Sequence, residues 1–436
     1  MDPVKVGLLG LGTVGGGTAT ILKRNAEEIA RRAGRGIEVD FIATLEPERA
    51  AELGVENIRL TKDAYEVVDD PTIDIVVELI GGYSPAKELV MKALENGKHV
   101  VTANKALIAM HGDEIFAKAQ EKGVVVAFEA AVAGGIPIIK ALREGLAANN
   151  VQWLAGIING TGNFILTEMR DKGRDFNDVL AEAQALGYAE ADPTFDVEGI
   201  DAAHKLSILS SIAFGIPLQF DKTYTKGISK VTQEDVSYAE ELGYRIKHLG
   251  VARRSAEGIE QRVHPTLIPE GRLIANVDGV MNAVLVQGDA VGATLYYGAG
   301  AGDEATGSAV IADIVDITRA LTSDPKNRVP HLAFQASELQ NTPMLDMQQI
   351  ETAFYIRLSA KHQAGVLAEV TTILGAKNIS IEAFLQKALA EGSEEADIIL
   401  LTNVVNEGDM NDALVQIEAL DVINDKAIRI RVESLG

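Results

Sequence analysis

The chain has 436 residues, 47% of them hydrophobic, with 63 acidic against 40 basic side chains and no cysteine. At roughly 150 residues per domain it should hold about three domains, each able to bury a core. The net charge of −23 repels nucleic-acid phosphate and anionic lipid, so neither nucleic acid nor membrane is expected as a partner, and the missing thiol excludes disulfides, thiolate metal sites, iron–sulfur clusters and cysteine nucleophiles.

Residues 4–10 read as a short apolar strand ending in glycine. It begins without the basic segment and apolar run of a signal peptide, and no apolar stretch reaches the ~18 residues of a membrane span, so a cytoplasmic protein is expected. A helix over 15–33 follows, then strands over 37–43, 73–79, 99–102 and 123–128, with helices over 86–96 and 113–122 between them. Buried strands alternating with helices predict a parallel sheet wound on both faces. Gly134-Gly135-Ile136-Pro137 breaks this pattern. Helices, among them 176–186 and 199–214, then dominate to about Pro217, and short strands over 243–297 fit a mostly antiparallel sheet. A glycine turn at 298–302 leads into an apolar helix over 306–321. Residues 322–347 are polar and carry Pro325, Pro330 and Pro343, the texture of a linker, and 354–358 opens a new strand–helix–strand unit.

Gly10, Gly12 and Gly15 form G-x-G-x-x-G between strand and helix, with Thr13 and Val14 inside the motif. The first glycine serves the tight turn, the second lets a pyrophosphate approach the backbone, and the third lets helix pack on sheet, so a dinucleotide is the expected ligand. Glu46 is better placed than Asp40 to meet the ribose. No basic residue occurs from Glu38 to Pro47, although Arg49 is near, and that favours NAD over NADP.

Without a thiol, a nicotinamide enzyme taking aldehyde to acid through a thioester is excluded, whereas alcohol–carbonyl exchange needs only hydride transfer and a proton donor. No His, Asp and Glu cluster has zinc-ligand spacing, which leaves lysines. Lys105 follows the fourth strand, at the sheet end where open α/β folds bind ligands. Asp201 and Lys205 are spaced i, i+4 on a strongly apolar helix; on a surface such a pair is worth a few tenths of a kcal/mol, and buried it is costly without a purpose.

The segment Ala183-x-x-x-Gly187, Asp192-Pro193-x-x-Asp196, Gly199-x-Asp201-x-x-x-Lys205, together with Thr102-Ala103-Asn104-Lys105, Asn159-Gly160-Thr161 and Gly298 to Gly302, resembles the homoserine dehydrogenase family over residues 1 to about 325. The tail resembles an ACT domain, with Ala364-Gly365-Val366-Leu367 opening its first helix. The resemblance implies NAD(P)-dependent interconversion of L-homoserine and L-aspartate 4-semialdehyde, in threonine and methionine biosynthesis. It implies an α/β and α+β multidomain fold: a Rossmann-like dinucleotide-binding domain over 1–130, completed by about 303–325; an α+β catalytic and dimerisation domain over 131–302; a linker over 326–349; and a βαββαβ ACT domain over 350–436. Lys205 is then the proposed acid/base, with Lys105 between cofactor and substrate. Glu190 takes the substrate ammonium, Asp196 and Asp201 hold the polar site, and Gly160 and Thr161 contact substrate. Thr102 and Gly302 join the glycine loop at the cofactor. Glu129, Val132, Gly134 and Ile136 match a loop for a monovalent cation, Na+ or K+, bound mostly through backbone oxygens.

Gly162 stands where the family often has Thr or Ser, and Thr44 and Leu45 where relatives often carry an Arg for a 2′-phosphate. ACT domains that bind amino acids commonly have Asp-x-Pro-Gly before the helix; here His362-Gln363-Ala364-Gly365 stands instead. The tail is therefore expected to aid assembly of a homodimer or homotetramer more than to sense threonine, and its deletion to leave activity partly intact. Two other readings remain: a reductase of another amino-acid semialdehyde, and a non-catalytic regulator sensing nucleotide and amino acid. A pure sensor has no use for a proton-donating lysine.

Overall fold

The computed structural model describes residues 2–386 and 395–436. Two compact units emerge: Met1–Gly160, Asp201–Thr223 and Val280–Thr342 form the first, and Thr161–Ile200, Tyr224–Gly279 and Pro343–Gly436 the second.

The first unit is built on a six-stranded sheet whose strands, numbered along the chain, lie in the order 3-2-1-4-5-6, all parallel. The central strands Val4–Leu9, Ile75–Glu78 and His99–Thr102 are almost wholly buried, as expected where helices cover both faces. The helix Asp303–Ala320 returns to this sheet and sends Val310, Ile314 and Ile317 into the core beside Val6, Leu8 and Ile75. Glycine permits its close approach to the first helix: a Cβ on Gly17 would sit 2.3 Å from the Asp303 carbonyl oxygen. Three antiparallel strands, Val151–Ile157, Met281–Gly288 and Gly292–Ala299, also belong here.

Several boundaries differ from expectation. The helix expected over 15–33 is two, Thr13–Arg24 and Ala26–Ala33, meeting at Asn25. Ile21, Leu22, Ile29 and Ala33 all reach the same core, so apolar spacing continues across the break. The helix expected over 113–122 spans Lys105–Lys122 and starts at Asn104, whose Oδ1 accepts the Leu107 N–H at 3.1 Å. Its interior Gly112 is explained by contact, since a Cβ there would lie 2.4 Å from Leu218. The strand expected over 123–128 is only Val126–Ala127, and the short edge strand Arg59–Thr61 carries too little alternation to be foreseen. Part of the expected linker packs on this unit. His331 stacks on Phe116 with ring centroids 4.8 Å apart, and its Nε2 accepts the Val126 N–H at 3.2 Å, which blunts the sheet's open edge.

In the second unit the strands run in the order Tyr244–Arg254, Ile259–Pro269, Ile428–Val432, Glu351–Lys361, Glu395–Thr402, Ile381–Leu385. From Glu351 onward the principal elements run strand, helix, strand, strand, helix, strand. Helices Val366–Ala376 and Glu407–Glu418 bury Val370, Leu374, Met410 and Ile417 against Phe354, Ile356 and Leu358, while the neighbouring Tyr355 faces a different core. The last strand, Ile428–Val432, is parallel to Ile259–Pro269 and antiparallel to Glu351–Lys361. The end of the chain thus joins the C-terminal sheet to the middle one. Among the described residues no helix is long and apolar enough to cross a membrane.

Candidate active site

The glycine loop lies where the first strand meets the first helix. Gly10 has φ of +98°, and a Cβ there would lie 2.8 Å from the Leu79 carbonyl oxygen; a Cβ on Gly15 would lie 2.2 Å from the Gly10 carbonyl oxygen. Gly12 caps the helix without a side-chain hydrogen bond, and a Cβ placed on it would meet nothing within 4 Å. Open backbone at a helix N-terminus suits a pyrophosphate. Thr13 and Val14 open that helix, and Gly302, at φ of +122°, caps the returning helix Asp303–Ala320. Thr102 donates its hydroxyl to Glu78 at 2.6 Å and accepts the Asn104 N–H at 3.0 Å. Glu78 also accepts the N–H groups of Ile80 and Gly81. The Thr102 side chain therefore shapes the loops at the sheet's C-terminal edge. Glu78 escaped the sequence reading; its signal was an acid ending an otherwise apolar strand.

Both lysines reach one carboxylate. Asp201 begins the apolar helix Ile200–Phe214, and its Oδ2 accepts from Lys205 Nζ at 2.7 Å and from Asn159 Nδ2 at 2.8 Å. Lys105 Nζ lies 3.2 Å from Oδ1. Lys205 also donates to the Ile158 carbonyl at 2.8 Å. Burial pushes the Asp201 carboxyl up, but the charges of Lys205 and Lys105 and the hydrogen bonds from Lys205 and Asn159 outweigh it and hold the group well below the usual carboxylate range. One buried anion thus meets two cations, and the Lys105 side chain is 38% exposed against 12% for Lys205. Such an arrangement can give a proton to a carbonyl oxygen and steady the charge that develops there. His204, between Asp201 and Lys205, is kept neutral by burial, which lowers it to about 4, and its ring stacks on Phe220. Asn159 was legible only as part of the Asn-Gly-Thr motif; its contact with Asp201 was not.

Gly160 begins the helix Gly160–Lys172 in the first unit; Thr161, Glu190 and Asp196 lie in the second. Thr161 donates its hydroxyl to the Tyr188 carbonyl at 2.5 Å. Glu190 is exposed. Asp196 sits in the short turn Thr194–Val197, started by Asp192, which accepts both the N–H and the hydroxyl of Thr194.

The loop with Glu129, Val132, Gly134 and Ile136 is tightly turned, with positive φ at Ala133 and Gly134. Glu129 accepts the N–H groups of Ile139 and Lys140 at 2.9 Å and donates its own N–H to Asp313 at 2.8 Å. Burial raises both carboxyls, Asp313 to about 7 with Glu129's charge adding to the shift. A hard monovalent cation prefers oxygen ligands, and the two crowded carboxylates are oxygen groups that suit one. Among the described residues no group of three His, Asp or Glu is gathered as a metal site.

Comparison with known proteins agrees over the whole length. The homoserine dehydrogenase family matches residues 137–315, its NAD binding domain 10–129, and the ACT domain 354–422. A homoserine dehydrogenase of Pseudomonas aeruginosa is 67% identical over 436 residues, covering 100% of both chains. A crystal structure of a homoserine dehydrogenase from Thiobacillus denitrificans superposes with a TM-score of 0.96 at 67% identity, covering 100% of this chain and 99% of that one. A hyperthermophilic archaeal homoserine dehydrogenase in complex with NADPH matches 72% of this chain and 98% of its own, with a TM-score of 0.62 and 28% identity. The chain belongs to the homoserine dehydrogenase family. Its activity is that of this family, an oxidoreductase with nicotinamide-binding, catalytic and ACT domains, and these relatives lend nothing to the reading as a non-catalytic sensor.

Proposed function

We propose that Asp201, Lys205 and Lys105 are the proton-handling centre for interconversion of L-homoserine and L-aspartate 4-semialdehyde. The observation that carries this is the meeting of both lysines on one buried carboxylate. A bound nicotinamide supplies the hydride in one direction and takes it up in the other. As the substrate carbonyl becomes an alkoxide, Lys205 delivers a proton to its oxygen; in reverse it accepts that proton. Asp201 keeps the ammonium form available, and Lys105, the more exposed cation, orients the carbonyl between cofactor and substrate. Glu190 and Asp196 receive the polar end of the substrate, and Gly160 and Thr161 are assigned contacts with it. The glycine loop, Thr102 and Gly302 hold the dinucleotide. Adding L-aspartate 4-semialdehyde to the chain with NADH or NADPH should give rapid nicotinamide oxidation, absent from a Lys105→Ala/Lys205→Ala double variant. Equal turnover in that variant would remove the assignment. Glu190→Gln should raise KM about tenfold or more, the cost of losing a charge-assisted contact, with kcat nearly kept.

NAD(H) is accepted at least as well as NADP(H), because Thr44 is buried, Leu45 is exposed and Glu46 follows them. Arg49 is the counterweight, its guanidinium 3.9 Å from where a Cβ on Gly16 would stand. Arg49→Gln should therefore lower kcat/KM for NADPH severalfold while sparing NADH, roughly 1 kcal/mol of selectivity.

Glu129, Val132, Gly134 and Ile136 would hold Na+ or K+, balancing the charge of Glu129 and Asp313 and fixing the loop. The domain scheme proposed is 1–130 with 303–325, 131–302, a connection over 326–349, and 350–436. The setting is a cytoplasmic homo-oligomer serving threonine and methionine formation.

A further inference from the structure

A cleft of about 800 Å³ opens in the first unit, lined by the second half of the helix that begins with Lys105 and by the chain just after the helix that carries Lys205. Helix Lys105–Lys122 begins with Lys105 and contributes Asp113, Phe116 and Gln120 to the cleft wall. Helix Ile200–Phe214 begins next to Asp201 and runs on to Pro217, which also lines it. At 1.5 Å rise per residue, Asp113 lies about 12 Å along its helix from Lys105. The two paths touch where Gly112 faces Leu218. The remaining wall is the segment 325–339, with Arg328 and Phe334.

The lining is chiefly apolar, with an acid and a base that do not neutralise each other. Asp113 is exposed at the rim of the cleft, and the Leu218 N–H is the group that favours its carboxylate form. Arg328 donates Nη1 to the Gly123 carbonyl at 2.8 Å, and Nη2 makes long contacts to Ala320 and Ser323 carbonyls. Its Nε is buried without a hydrogen-bond partner among the described residues, and Asp324 is the acid that acts on it. His331 is kept neutral by burial, which lowers it to about 4, so it adds no charge. An unsatisfied guanidinium donor calls for a carboxylate, an acid at the rim suits an ammonium, and the aromatic and proline walls call for an apolar body. The volume falls within the roughly 300–1,000 Å³ of small-molecule sites.

We propose that this cleft binds an α-amino acid with an apolar side chain, its carboxylate on Arg328 and its ammonium on Asp113, and that occupancy alters turnover through the two helices that end there. Lys105 opens one of those helices and Lys205 lies in the first half of the other, so a small change in helix position at the cleft is carried to the groups around Asp201.

Calorimetric titration of the full chain with L-leucine, L-isoleucine and L-phenylalanine reads binding independently of the roles assigned to the lysines. Saturable binding by at least one of them is expected, weakened about tenfold or more in Arg328→Met and in Asp113→Asn. The same ligand should change kcat or KM about threefold or more in the wild type and leave both variants near their basal rate. No binding by any of the three up to about 10 mM overturns the proposal. So does binding that both variants retain in full, which would place the amino acid elsewhere on the chain. Binding without an effect on turnover refutes the regulatory half. Should Asp113→Asn fail to fold, Arg328→Met decides alone.

Discussion

Two buried charge clusters in this chain are near mirror images. In the first unit an anion, Asp201, lies between two cations, Lys205 and Lys105. In the second a cation, Arg262, lies between two anions, Glu260 and Glu433. The difference is how far each cluster is closed to solvent. Arg262 is wholly buried, Glu260 and Glu433 are nearly so, and Arg253 at 3.1 Å from Glu433 brings the set to two charges of each sign. That cluster is closed and balanced, and it fastens the segment after the last strand to the strand Ile259–Pro269. Around Asp201 one anion is shared by two cations, and the most exposed member is Lys105. A buried ion pair by itself is weak evidence of purpose; a buried anion that positions a partly exposed cation is better placed to meet a developing negative charge.

The largest effect that would test this contrast is catalytic. Lys205→Ala should lower kcat by ~10²- to 10⁴-fold, the usual span for a lost proton donor, while cofactor affinity and the denaturation midpoint change little. Near-normal turnover would transfer the role to Lys105. In the closed cluster the expected pattern is inverted. Glu433→Gln should cost about 3–5 kcal/mol of stability, because Arg262 and Arg253 lose a shared buried partner, with kcat per folded molecule nearly unchanged. Urea unfolding followed alongside activity separates the two. The strand order also changes the expectation for removing residues 350–436. That deletion takes away the strand paired with Ile259–Pro269 and the carboxylate facing Arg262, so it should unfold the second unit instead of sparing activity.

What could be read from the sequence was what lay close together in it. Strand, glycine loop and helix are consecutive, and Asp201 and Lys205 are one helical turn apart, so spacing alone put each on the page. The helix from Lys105 is longer than the stretch over 113–122 that the sequence suggests, and the Gly112 inside it lets Leu218 approach. The approach of Lys105 to Asp201 joins residues remote in sequence and was available only through family resemblance. Glu78 gains its purpose from the register that sets it opposite Thr102 on the adjacent strand, and a single strand's pattern cannot show a neighbour. The last strand had apolar alternation, but its place beside Ile259–Pro269 depends on a parallel pairing across the chain, which local signals do not encode.

Acid offers the mildest way to separate the clusters, because a buried histidine accompanies each. His204, beside Asp201, is lowered to about 4 by burial, while the charge of Asp201 partly offsets that shift. His264 is lowered well below its ordinary value, by burial first and then by the neighbouring Arg431 and Arg262. Arg262 Nε donates to His264 Nε2 at 3.2 Å, so Nδ1 carries the proton and donates to the Pro265 carbonyl at 3.0 Å. Protonating Nε2 would abolish that bond and place a third cation among the arginines. In the unfolded chain a histidine takes up its proton near pH 6.5, and in the fold only well below that. The unfolded state therefore binds more protons in this window, and stability falls as pH drops from about 6.5 toward 4, by at most about 1.4 kcal/mol per pH unit for each such histidine. His264→Gln should remove close to one histidine's share of that slope, whatever it does to stability at neutral pH. Urea midpoints between about pH 6.5 and 4.5 would show this as a flatter line. An unchanged slope would mean that His264 is already protonated in the fold, and that the cluster around Arg262 is less closed than its burial indicates.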